Sequence, residues 1–193
     1  MRFLKDIYHS FLALAEKPYA SFILGAVAFA ESVIFPIPAD VLLLSMSLGK
    51  PSHAIRFALV CSVFSVLGAC AGFFLGKFLW ELVSEWFLAF VFSEANFNAV
   101  GELFKANAFT TILTAAFTPV PFKVFTVAGG VFNVNFAALV AGSVIGRSAR
   151  FFLLAGLVWK FGEDIKPFID KHFNTLTIIF TLVVIAVLIL FGR

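Results

Sequence analysis

Five charged side chains interrupt stretches of sequence that are otherwise almost entirely apolar. Glu31 and Asp40 lie within ESVIFPIPADVLLL, Lys123 follows the motif FTPVPF, and Arg147 and Arg150 lie one helical turn apart in a later apolar stretch. A charge at the centre of a membrane helix costs at least about 2.5–3.5 kcal/mol, so such side chains pair or line a wet cavity. Three cations against two carboxylates favour an anionic ligand, and guanidinium groups match the oxygens of phosphate.

The two carboxylates could also carry protons. In apolar surroundings Glu31 and Asp40 could exchange a proton, or release the cations, when a substrate leaves. A purely structural alternative is that Asp40–Lys123 or Glu31–Arg147 are ion pairs that pin two parts of the fold together. The sequence contains no nucleophile–base set, phosphate loop or cysteine–histidine cluster. We therefore expect neither an enzyme nor a bound metal or other cofactor.

The composition is that of a membrane protein. Of the 193 residues, 62% are hydrophobic and only 13% are charged, whereas soluble domains are about 45–50% apolar. A soluble fold of this length would need more polar residues to cover its surface. We expect an all-α integral membrane protein with one membrane domain over 1–193, with membrane lipids as partners. No nucleic acid is expected, because basic stripes are absent.

The charges in the first half accompany a broken apolar segment. Residues 19–35 are apolar up to Pro36, but the following run, 41–49, is too short to cross alone, because a span needs about twenty residues. One interpretation is a span kinked at Pro36 and Pro38, and the other is a re-entrant hairpin around 36–40. The short second arm favours the hairpin, whose tip would face a polar cavity, because irregular backbone at membrane depth lies inside protein or along water.

The second half repeats this order. A short apolar arm at 108–117 is followed by Pro119 and Pro121, a hairpin around 119–123, another short arm and a glycine-containing span. Broken apolar segments at corresponding positions of two halves indicate the binding site of a transporter. We therefore predict an inverted repeat of two re-entrant hairpins, with the halves at 18–80 and 108–158.

The remaining stretches complete the predicted topology. Residues 1–17 have the pattern of an interfacial helix and 81–107 that of an interfacial connector. About three transmembrane helices are expected, at 54–80, 136–158 and 175–191. Lysine and arginine concentrate in 1–17, 50–56 and 160–174, whereas 81–107 is acidic. Under the positive-inside rule this predicts a cytoplasmic N-terminus.

These motifs resemble those of the DedA family, also called the VTT or SNARE-associated membrane domain. The resemblance runs from about residue 15 to 160 and is carried by Glu31 ahead of Pro38-Ala39-Asp40, by the second proline motif at 117–123, and by Gly146-Arg147-x-x-Arg150-Phe151. Family members commonly have Gly in place of Ala39, and often an Arg at the positions of Ala116 and Phe122. These departures are typical of a divergent subgroup.

The resemblance implies a transporter that moves a lipid phosphate, a polyprenyl phosphate or a phospholipid, between the leaflets of a bacterial cytoplasmic (inner) membrane, with protons as the coupling ion. Arg147, Arg150 and Lys123 would hold the phosphate, while Glu31 and Asp40 would exchange protons. Two other classes stay open: a proton-coupled antiporter of a small solute or ion, and a non-transporting membrane assembly factor. A homo-oligomer is compatible with the sequence.

Overall fold

The described part of the chain is entirely helical. The structure is a computed structural model that describes residues 17, 19–33, 39–90, 94–118 and 121–162, and these ranges contain seven helices and no strand. The helices are α1 (Ala20–Val33), α2 (Ala39–Gly49), α3 (Ala54–Phe90), α4 (Glu94–Ala106), α5 (Ala108–Phe117), α6 (Phe122–Val131) and α7 (Phe136–Gly162).

Several predictions concern residues outside these ranges. The interfacial helix expected at 1–17, apart from its last residue, and the span expected at 175–191 are not among the described residues, nor are Pro36, Pro38 and Pro119. Pro121 is described, and it stands directly before α6 with a φ of −61°, the angle that its ring imposes on a helix start.

Two helices are long and apolar enough to cross a bilayer. One comprises Pro51–Leu82, a 3-10 turn and most of α3, and the other is α7. At 1.5 Å per residue, the 27 residues of α7 extend about 40 Å, which exceeds the hydrocarbon core of about 30 Å. The spans predicted at 54–80 and 136–158 are therefore confirmed as helices. The connector predicted at 81–107 differs in one respect, because α3 continues through its first third to Phe90 before α4 begins.

The other apolar helices are too short to cross alone. Helices α1, α2, α5 and α6 have 14, 11, 10 and 10 residues, or about 15–21 Å each. The order of short helix, proline-containing segment, short helix and long helix occurs twice along the sequence, as α1–α2–α3 and as α5–α6–α7. The short arms are thus where the sequence placed them. Their re-entry into the membrane and the inverted relation of the two halves stay predictions.

Glycines bring the short helices into backbone contact with the long ones. Gly68 of α3 lies against the carbonyl of Phe29 in α1, and Gly130 of α6 lies against the carbonyl of Phe73 in α3. In the second half, Gly146 of α7 packs on α5 in the same manner. Small residues permit such close approaches between membrane helices, where burial of apolar area gives no drive to associate.

The apolar core is divided into two clusters that meet at the buried charges. The first contains Leu24, Leu43, Met46, Phe57 and Phe151, and the second contains Phe73, Ile112, Phe122 and Leu139. Along α7, Arg147 lies between the residues of one cluster and those of the other, and Ser65 occupies the equivalent place along α3. Arg147 and Ser65 therefore lie at the junction of the two clusters.

We expect Gly130→Ala to destabilise the protein. A Cβ at this position would overlap the carbonyl oxygen of Phe73, and overpacking of a close contact costs about 1–3 kcal/mol. Gly156→Ala is the matched control, because a Cβ there would meet nothing within 4 Å, and in a helix alanine is favoured by about 1 kcal/mol. Thermal unfolding in detergent measures both. Equal stability of the two variants would contradict the backbone contact between α3 and α6.

Candidate functional site

Glu31 serves two partners at the end of α1. Its Oε2 accepts a hydrogen bond from Nη2 of Arg147 at 3.0 Å and another from the backbone N–H of Ala39 at 3.1 Å. Ala39 is the first residue of α2, and the first N–H groups of a helix have no partner within it. A single carboxylate from α1 therefore caps the N-terminus of α2 and neutralises a cation on α7.

The side chain of Arg147 is almost completely enclosed by its neighbours. Its side chain is only 3% exposed, and its Nε donates to Oγ of Ser65 at 2.7 Å. The guanidinium carbon lies 4.5 Å from the ring centroid of Phe151 and 5.2 Å from that of Phe122, within the range of cation–π attraction. Each apolar cluster thus contributes one ring to the same cation.

Arg150 forms a second pair, which joins the two halves of the chain. Its Nε lies 3.2 Å and 3.0 Å from the two carboxylate oxygens of Asp40, and its Nη2 donates to Oδ2 of the same residue. Its Nη1 donates to the carbonyls of Phe117, at 3.1 Å, and Thr118, at 2.6 Å. One guanidinium therefore connects the first turn of α2 with the C-terminal end of α5.

The two pairs differ in the accessibility of their cations. The side chain of Arg150 is 20% exposed, whereas that of Arg147 is 3% exposed; the carboxylates of Asp40 and Glu31 are comparable, at 16% and 22%. Arg150 is therefore the more accessible of the two paired arginines.

The last turn of α1 is also closed by a side chain from the other half. The hydroxyl of Thr126, in α6, shares its proton between the carbonyl of Ser32, at 3.2 Å, and the carbonyl of Lys123 in its own helix, at 3.0 Å. Because water is absent from a bilayer core, backbone groups at helix ends need partners within the protein. Glu31, Thr126 and Arg150 supply those partners at three of the four inner helix ends.

Four of the five charged residues that the sequence singled out are brought together. Of the two ion pairs considered from the sequence, the structure contains Glu31–Arg147. Asp40, which was considered as a partner of Lys123, forms an ion pair with Arg150. Lys123 lies half-buried in the first turn of α6, where its carbonyl accepts a bond from Thr126 at 3.0 Å. In the described ranges, no group of three or more His, Cys, Asp or Glu side chains could hold a metal ion.

Sequence reasoning missed three hydroxyl residues, Ser32, Ser65 and Thr126. Serine and threonine are common in apolar helices, where the hydroxyl usually bonds a carbonyl of its own helix. Ser62 does so with Ala58, at 2.8 Å, and nothing local distinguishes it from Ser65. Only the packing shows which hydroxyls cross between helices.

The fold and the site define a class. Two helices are long enough to cross a bilayer, four apolar helices are too short to do so, and charged side chains are paired at the ends of the short helices. These are the features of a polytopic membrane protein. The comparisons identify its family: residues 37–160 match the VTT domain, and the chain belongs to the VTT, or DedA, family.

Similar proteins occur in two bacteria. The chain is 32% identical over 195 residues to an uncharacterized protein of Haemophilus influenzae, with 99% of this chain and 98% of the relative covered. It is 29% identical over 174 residues to an uncharacterized protein of Histophilus somni, with 88% and 91% covered. No solved structure matches the chain significantly.

We expect Glu31→Ala to lower the free energy of unfolding by about 3 kcal/mol, because it leaves the buried guanidinium of Arg147 without its counter-ion. The control is Glu102→Ala, which breaks an exposed i,i+3 pair with Lys105 and should cost less than about 1 kcal/mol. Reversible SDS-induced unfolding in mixed micelles, followed by circular dichroism, measures both. Equal losses would show that the Glu31–Arg147 pair contributes no more than a surface pair.

Proposed function

We propose that the protein moves a lipid phosphate, a polyprenyl phosphate or a phospholipid, between the leaflets of the bacterial cytoplasmic membrane, and that this movement is coupled to protons. The observation that carries this proposal is the carboxylate of Asp40 on the Nε–Nη2 edge of an accessible arginine, Arg150. A phosphate presents a similar pair of oxygens to a guanidinium. Asp40 therefore occupies the place that a substrate phosphate would take.

The surroundings of this pair favour an anion. The N-terminal ends of α2 and α6 lie close to the arginines, since Ala39 bonds the same carboxylate as Arg147 and the ring of Phe122 contacts its guanidinium. Helix N-termini carry partial positive charge, and in transporters with broken helices they point at anionic substrate groups. Lys123, in the first turn of α6, adds a third cation.

The difference in exposure divides the proposed roles. Arg150 alternates between Asp40 and the substrate phosphate, whereas Arg147 stays with Glu31 and holds the two halves together. This assignment differs from the expectation from the sequence, in which both Arg147 and Arg150 bind the phosphate. Lys123 contributes charge and attracts the anion.

Proton coupling follows from the competition for Arg150. When a phosphate takes the guanidinium, Asp40 loses its cation, and a carboxylate without a nearby cation binds a proton more readily. Substrate binding is thus accompanied by proton uptake, and by linkage a lower pH favours binding. Departure of the phosphate lets Asp40 release its proton and return to Arg150.

The outward faces of the long helices suit a substrate that keeps its tail in the bilayer. Large apolar side chains are exposed along both helices, among them Leu67, Phe74 and Phe78 of α3 and Leu153 of α7. A phosphate that enters between the helices from the side would leave its chain in the surrounding lipid.

The orientation belongs to the same proposal. Lys50 and Arg56 lie at the N-terminal end of α3, and Lys160 lies in the last described turn of α7, whereas the stretch from Glu81 to Glu102 is acidic. The positive-inside rule then places the basic ends and the N-terminus in the cytoplasm.

The test is leaflet exchange of labelled lipid phosphates in proteoliposomes, with and without a pH gradient. We expect Arg150→Lys to slow exchange at least about tenfold, because lysine keeps the charge and loses the fork. Asp40→Asn should still bind substrate but should no longer respond to the gradient. Arg56→Lys, at an exposed arginine of α3, is the matched control and should transport normally.

Two results would overturn parts of the proposal. Wild-type protein that moves no labelled lipid phosphate would exclude the lipid substrate and favour a small-solute antiporter or an assembly factor. If transport by Asp40→Asn protein still follows the pH gradient, Asp40 is not the proton-coupling residue and Glu31 is.

A further inference from the structure

Three buried polar side chains form a chain of hydrogen bonds that crosses from α7 to α3 and α1. Nε of Arg147 donates to Oγ of Ser65 at 2.7 Å, the hydroxyls of Ser65 and Ser32 are 2.7 Å apart, and Oγ of Ser32 is 3.0 Å from the carbonyl of Ala28. Both serines are fully buried.

The two ends of the chain determine where every proton lies. Arginine has only donors and a carbonyl has only acceptor sites. Ser32 therefore donates its hydroxyl proton to the carbonyl oxygen of Ala28. Ser65 receives a bond from Arg147 and must therefore donate its own proton to Ser32. The order Arg147, Ser65, Ser32, Ala28 is thus the only one that satisfies all members, and a chain of this kind is cooperative.

We infer that Ser65 and Ser32 are positioning residues that set the orientation of the Arg147 guanidinium. A guanidinium is planar, so fixing its Nε–H direction also fixes where Nη2 points, and Nη2 points at Glu31. Glu31 in turn holds the first backbone N–H of α2, one residue before Asp40. The serines thereby place Asp40 opposite Arg150, and this last consequence rests on the proposed function.

Burial alone does not explain these two serines. Ser62 and Ser143 are also buried, at 4% and 0% exposure, and lie about one turn from Ser65 and Arg147. They bond the carbonyls of Ala58 and Leu139 in their own helices. Those bonds satisfy a hydroxyl without connecting helices. Ser32 is tied a second time, because its carbonyl accepts from Thr126, so the last turn of α1 is held through both its side chain and its backbone.

The inference is tested by a double-mutant cycle on stability, which needs no transport assay. We expect Ser65→Ala to lower the unfolding midpoint in detergent by roughly 2–8 °C, since it leaves a buried donor of Arg147 unpaired. Ser65→Ala and Glu31→Gln together should lose clearly less than the sum of the single losses, because both act through one guanidinium. Ser62→Ala is the matched control, and its loss should add to that of Glu31→Gln.

Additive losses for Ser65→Ala and Glu31→Gln would overturn the inference. Should Ser65→Ala fail to fold, Ser32→Ala takes its place in the cycle, because it removes the acceptor that orders the chain. The same criterion of non-additivity applies to it.

A second readout concerns transport in proteoliposomes. Ser65→Ala should slow lipid exchange about tenfold and move its pH profile to higher pH, because a carboxylate held less firmly against a cation binds a proton more readily. Ser65→Thr keeps the hydroxyl and should keep the wild-type profile, as should Ser62→Ala. A pH profile of transport that is unchanged in Ser65→Ala would show that the serines contribute to stability alone. If wild-type protein moves no lipid, the proposed function fails while the unfolding cycle still decides the inference.

Discussion

Helix ends that are enclosed within the fold leave backbone groups and dipoles that only the protein can satisfy, and this constraint shapes the rest of the molecule. Glu31 bonds the first N–H of α2, and Arg150 bonds the last carbonyls of α5. Each of these side chains is charged, so each requires a counter-ion at the same place. The two ion pairs and the ends of the short helices are therefore one arrangement, because each charged side chain that bonds a helix end also needs its counter-ion there.

The arrangement depends on close helix packing. Arg147 and Arg150 both project from α7, yet their carboxylates come from α1 and α2 in the other half of the chain. Glycines such as Gly68, Gly130 and Gly146 let backbones approach until those side chains reach one another. One cation is enclosed between two rings and the other is partly open. Under the proposed function the enclosed pair stays in place, and the partly open pair exchanges its carboxylate for the substrate.

The sequence predicted the features that are local. Apolar runs and prolines marked the short arms at 41–49 and 108–117 and both long helices, and the charges stood out because their surroundings are apolar. The partners could not be predicted, because the separation between Arg150 and Asp40 is 110 residues and depends on packing. The end of α3 was misplaced, since an amphipathic pattern such as that after Glu81 continues a helix as readily as it starts a connector. The bridging role of Ser65 could not be predicted either, because nothing in the local sequence distinguishes it from Ser62 and the difference depends on packing.

The central claim is that a substrate phosphate displaces Asp40 from Arg150 and that Asp40 then takes up a proton. Infrared difference spectroscopy of the protein in lipid films, with and without a polyprenyl phosphate, observes this step directly. The account predicts that the phosphate produces the band of a protonated carboxylic acid, and that the band is absent in Asp40→Asn protein and present in Arg56→Lys protein. A difference spectrum with no such band, or one in which the band persists unchanged in Asp40→Asn protein, would contradict it.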